Sequence, residues 1–123
     1  MDSHADKQKK LEELEDHRKQ LVGFLDTIGF IWPGTITRRY LTCGREGCAC
    51  KTDPAKRHGP YPYWTTKISN KTVSKKLSED EADILEQWIE NRRAMESIME
   101  KMKHISHKAL PLVLELRRND FEK

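Results

Sequence analysis

CGREGCACKTDPAKRHGP, residues 43–60, gathers all three cysteines of the 123-residue chain around His58, in the spacing Cys-x4-Cys-x-Cys-x7-His. Three thiols and an imidazole are four soft or borderline ligands, the number that a closed tetrahedral zinc site takes. Gly44 and Gly47 let the backbone turn between the first two thiols, and Gly59-Pro60 turns the chain away after the histidine. The pattern therefore predicts a structural Zn²⁺ held by Cys43, Cys48, Cys50 and His58. Gaps of four and one depart from the common Cys-x2-Cys knuckle, so redox-active thiols and chance crowding stand as alternatives. An iron–sulfur cluster usually takes four cysteines.

The flanks of this loop read as short strands. Trp32-Pro33-Gly34 signals a turn, and 35–42 has strand composition. Alternation puts Ile36, Arg38, Tyr40 and Thr42 on one face and Thr37, Arg39 and Leu41 on the other. Beyond the loop, 63–69 and 72–76 are β-rich runs joined at Ser69-Asn70-Lys71, a hairpin in which Asn70 tolerates a left-handed conformation. Three strands make a small antiparallel sheet that carries the zinc loop.

Helical patterns lie on either side. Leu11, Leu14, Arg18, Leu21, Leu25 and Ile28 recur by threes and fours, which predicts a helix over about 5–27 with Ser3 as cap. Ser78-Glu79-Asp80-Glu81 is a capping box, with Leu77 and Ala82 at the staple positions. It opens a helix over 79–104 whose stripe is Leu85, Trp88, Met95, Met99 and Met102, broadened by Ile84, Ile89, Ile98 and Ile105. Arg92 falls in that stripe. A last short helix is expected over 109–118, with Pro111 near its start. The predicted fold is α+β: two long antiparallel helices in a coiled-coil-like hairpin, a three-stranded antiparallel sheet with the zinc loop, and a short C-terminal helix. All of it forms one domain, divided as 1–29, 30–76, 77–106 and 107–123.

The charge is segregated. The whole chain carries +3, but residues 30–76 hold ten Lys/Arg against two Asp/Glu, while both flanks are mildly acidic. No apolar run reaches the roughly 18 residues of a membrane-spanning helix, and MDSHADKQKKLEELED has no secretory apolar region. An odd number of cysteines speaks against a disulfide framework, so a cytoplasmic location is expected. No Glu stands in an H-x-E or H-E-x-x-H arrangement to serve as a base beside a metal. His104 and His107 read as the polar end of a helix and Glu46 as a solvated loop residue. No catalytic residue, enzyme activity or small-molecule substrate is expected.

The stretch 34–102 resembles a family of small bacterial and archaeal proteins known as a domain of unknown function. The resemblance is carried by Cys43-Gly44, Cys48, Cys50, His58-Gly59-Pro60-Tyr61, Lys71-Thr72 and Trp88-Ile89-Glu90-Asn91. This chain departs from the pattern by a longer basic insertion over 51–57. The resemblance implies that the four ligands form a real site and implies no role for it.

For the role, the residues themselves offer two readings. Arg38, Arg39, Arg45, Lys51, Lys56, Arg57, Lys67 and Lys71, interleaved with Tyr61 and Tyr63, suit phosphates and unpaired bases. That predicts a nucleic-acid-binding accessory module, with DNA or RNA as partner and zinc shaping the loop. The alternative is an adaptor that dimerises, or binds another protein, through its helices, with zinc purely structural.

Overall fold

The computed structural model describes residues 3–121, and side chains through residue 118. In chain order it has helix α1 (His4–Leu25), strand β1 (Thr35–Leu41), two short 3-10 turns (Ala49–Lys51 and Pro54–Lys56), strands β2 (His58–Ile68) and β3 (Lys71–Lys76), and helix α2 (Glu79–Phe121). Residues divide into two compact units: the chain up to Gly29 together with that from Arg93 onward, and the segment Phe30–Arg92.

The helical unit is built by α1 and the later turns of α2. Ser3 caps α1 with a reciprocal box, its Oγ accepting the Asp6 N–H at 3.1 Å while Asp6 accepts the Ser3 N–H at 3.4 Å. Leu21, Ile98 and Ile105 are buried together, with Leu14, Leu25, Ile28 and Met102 packed around them. Lys7 pairs with Glu115 at 2.6 Å, and Leu14 shares a groove with Ile105 and Ala109, so the two segments run in opposite directions. Arg18, in the predicted seam, is instead paired with Glu15 one turn earlier on its own helix.

The expected succession of two long helices and a short third is corrected here. No break separates 104 from 109: α2 is one helix of 43 residues that carries Pro111 inside it. The physical reason is periodic. Ile98, Met102, Ile105, Ala109, Leu112 and Leu116 continue one three–four stripe, all buried or half-buried, and no Gly or Asn interrupts it. Pro111 lies on the exposed side, so the hydrogen bond it cannot donate is missing only where water can serve the freed carbonyl. Ile84 and Met99, assigned to the stripe from sequence, are exposed instead.

The sheet unit has strand order β1-β2-β3, all antiparallel. The β2 strand starts at His58, earlier than its composition suggests, because residues 58–62 pair with β1 in spite of Pro60 and Pro62. The hairpin turn between β2 and β3 has both Ser69 and Asn70 at positive φ, 50° and 65°, the geometry of a two-residue turn that matches strand twist. Glu79 opens α2 behind the Ser78–Glu81 box, in which both hydrogen bonds are 3.1 Å. Leu77 and Ala82 are buried as its staple.

Arg92 closes this unit. Its guanidinium donates to the Trp32 carbonyl at 3.2 Å and to the Gly34 carbonyl at 3.0 Å. Asn91 donates to the Phe30 carbonyl at 2.8 Å, and the Trp32 backbone N–H donates to the Trp88 carbonyl. The turn before β1 is thereby tied to the helix, and Phe30, Trp32, Trp64 and Trp88 pack ring against ring, with centroids 5.1 to 6.2 Å apart. Gly34 must be glycine: its φ is +84°, and a Cβ there would lie 2.5 Å from Trp64 Nε1.

Candidate metal centre

Cys43 lies two residues after β1, and His58 is the first residue of β2, so the ladder between these strands brings the two ends of the loop together. Leu41 pairs with His58 where an unbroken register from Arg39–Tyr61 would pair it with Gly59. One extra residue on β2 makes a bulge, a device that re-aims a side chain at the end of a ladder. Gly59 sits in this bulge with φ +126°, and a Cβ would come within 2.7 Å of the Arg39 carbonyl.

Between these ends the chain folds on itself in two short turns. Cys48 precedes the first turn, and its carbonyl accepts the Lys51 N–H at 3.2 Å. Cys50 lies within that turn and is 1% exposed. Asp53 caps the second turn by accepting the Ala55 N–H at 3.0 Å. The basic insertion over 51–57 is thus organised by its own hydrogen bonds.

The four ligand atoms of Cys43, Cys48, Cys50 and His58 all lie within 4.8 Å of one another and can hold a metal ion. Cys43 Sγ is 3.5 Å from Cys50 Sγ, and Cys48 Sγ is 3.6 Å from His58 Nε2. In a tetrahedral zinc site two sulfurs stand about 3.8 Å apart, and a sulfur and an imidazole nitrogen about 3.5 Å. Two edges therefore already have the size of a zinc tetrahedron. A disulfide needs about 2.05 Å between sulfurs, and all three cysteines are free.

The thiols polarise one another. Cys48 is held below the ordinary thiol range, first by the Cys50 N–H and then by hydrogen bonds from the Cys50 and Cys43 thiols. For Cys50 the Cys43 N–H, 3.3 Å from its sulfur, favours the thiolate, but burial and the neighbouring sulfurs outweigh it and push the thiol up. Metal binding would settle that competition by deprotonating coordinating thiols outright.

A family model described as "Domain of unknown function (DUF6788)" matches residues 11–87, well over half of the chain. The chain belongs to this family. No curated protein and no solved structure matches it. All four cluster residues fall inside the span matched to the DUF6788 family, whereas Trp88-Ile89-Glu90-Asn91 lies just past it.

The structure sorts the basic and aromatic residues by face. Alternation along β2 puts Tyr61, Tyr63, Thr65 and Lys67 on one side of the sheet, opposite Arg39, Lys76, Ser74 and Thr72 on the neighbouring strands. On this side the Arg39 guanidinium lies 4.6 Å from the Tyr63 ring centroid, and Lys76 Nζ lies 4.0 Å from that of Tyr61. Arg39 also reaches Thr65 and Ser74, whose hydroxyls are 3.2 Å apart. Arg38 goes the other way. It bridges Glu79 and Glu86 of α2 at 3.1 and 3.5 Å, on the side where Trp64 packs against Trp32. Lys71 starts β3, and Arg45, Lys51, Lys56 and Arg57 are exposed on the cysteine loop. Sequence reasoning left Thr65 and Ser74 out of the site. Their signal was the hairpin register, which fixes their face once the turn at 69–70 is placed.

Among the described residues, no helix is long and apolar enough to cross a membrane.

Proposed function

We propose that this is a small zinc protein that binds DNA as an accessory module, the metal shaping the loop and the basic sheet meeting the phosphates. What supports the reading is the adjacency of a four-ligand cluster and a sheet face whose cations sit over tyrosines, within a segment of ten Lys/Arg against two Asp/Glu. Three thiolates around Zn²⁺ leave a local charge of about −1, so the segment stays strongly positive with metal bound. Four protein ligands fill a tetrahedral site, which leaves no open position for substrate, and we assign it no catalytic role.

Two measurements test this. Elemental analysis of freshly purified protein should find one zinc per chain, and Cys43→Ala with Cys48→Ala should abolish it. Absence of zinc from the wild type would refute the metal assignment. Fluorescence anisotropy with labelled DNA should show binding whose log affinity falls linearly with log salt, because cations release counterions from phosphates. No binding at low salt would remove the nucleic-acid reading.

A second reading is favoured by one observation. Val22, Phe24, Met99, Leu110 and Leu114 of the helical unit are exposed apolar residues, which suits an adaptor that pairs through its helices with itself or another protein. A sedimentation profile that stays monomeric at high concentration would weaken its homodimeric form.

A further inference from the structure

We infer that the open face of the sheet takes single-stranded DNA, with Tyr61 and Tyr63 as successive base platforms and Arg39, Lys67 and Lys76 on its phosphates. The inference rests on the nucleic-acid reading above and names the form of the polymer. Tyr61 and Tyr63 are two residues apart on the central strand and share a face, which spaces their Cα atoms by about 6.6 Å. That is about twice the separation of stacked bases along one strand of a duplex. Two such platforms fit neighbouring bases splayed out of a stack. Paired bases inside a duplex offer no free faces to a ring, whereas unpaired bases do.

The cations explain how the face is kept until a strand arrives. A surface cation–π contact is weaker than a base stacked on the same ring. A base can therefore replace Lys76 over Tyr61, or Arg39 over Tyr63, and the released cation is already beside the phosphate that comes with the base. Charge complementarity favours this occupant: the face presents Arg39, Lys67 and Lys76 with no carboxylate on the paired positions 61–67 of β2 and 72–76 of β3. The hydroxyls of Thr65 and Ser74 at its centre are bonded to one another and to Arg39. The choice of DNA over RNA is carried from the reading above, and the oligouridylate arm of the test decides it.

The test is anisotropy titration of the zinc-loaded full chain, at one low salt concentration, with labelled short oligothymidylate, its duplex with oligoadenylate, and oligouridylate. The single DNA strand is expected to bind roughly tenfold or more tighter than the duplex, with RNA no tighter than DNA. Tyr61→Ala and Tyr63→Ala should each weaken the single strand by roughly 5- to 100-fold, the Phe variants should restore it, and the duplex should change little. Lys75→Ala removes the same charge as Lys76→Ala from the opposite side of the sheet, and should weaken binding less. Equal or tighter duplex binding overturns the single-strand inference and leaves the nucleic-acid reading standing. Binding to none of the three overturns both, and tighter RNA binding overturns the choice of DNA. Should the alanine variants fold poorly, the wild-type ratio of single strand to duplex decides alone.

Discussion

Gly59 directly follows His58, the imidazole of the four-residue cluster. It occupies the bulge that offsets Leu41–His58 from the register of the preceding pairs, in a backbone conformation that a side chain resists and with the Arg39 carbonyl where its Cβ would be. Gly59→Ala is expected to shift His58 and cut zinc affinity about tenfold or more, the range seen when support behind a ligand is lost. Competition with a chromophoric chelator reads this directly. Unchanged affinity would show that the bulge does not aim the histidine. The four clustered residues were legible from residue type and spacing alone, since coordination demands particular atoms. The bulge was not, because it arises from how β2 pairs with β1, and two prolines hid the first half of β2. Arg92 was visible as a cation in an apolar stripe. Its carbonyl partners, Trp32 and Gly34, lie some sixty positions away and leave no local trace.

The helices show where local chemistry suffices and where it misleads. The Ser78–Glu81 box was readable because both its partners sit within one turn. The Ser78 N–H is the first cause that holds the Glu81 carboxyl below its usual range. A carboxylate with a depressed folded value contributes stability at neutral pH and loses it as the pH falls through that value. Wild type and Glu81→Gln should therefore differ in urea stability at neutral pH, and the gap should close in acid. Ser78→Ala should cost about 1 kcal/mol at neutral pH. The end of α2 went the other way. Pro111 looked like the start of a new helix, yet the stripe through Ala109, Leu112 and Leu116 carries the helix past it. Pro111→Ala should then raise helix stability, by up to about 3 kcal/mol if nothing else in the turn has adapted. A lowered thermal midpoint would mean that the proline is there for some packing of its own.

The three strands, the loop and the first helix were readable in outline, while the break expected after residue 104 and the joins between elements were not. Composition placed the positive charge in the middle of the chain, and the structure then divides it. Arg38 is held against α2 by Glu79 and Glu86, while Arg39, its neighbour, lies across the sheet over Tyr63. Adjacent arginines in sequence thus have different surroundings, and a count of charges cannot separate them. Strand alternation can, once the register is known.

The capped turn at 54–56 has a practical consequence. It sits between Cys50, held in the sulfur cluster, and His58, held in the strand ladder. Lengthening a flexible segment costs little, about 0.6 kcal/mol per doubling, and an exposed loop tip is where insertions are accepted. A short Gly-Ser segment, or an epitope tag, placed between Ala55 and Lys56 should leave zinc stoichiometry at one per chain. The same insert between Cys48 and Cys50 should abolish it. Such a graft would give a handle for immobilising the protein by its loop, with the open sheet face left free.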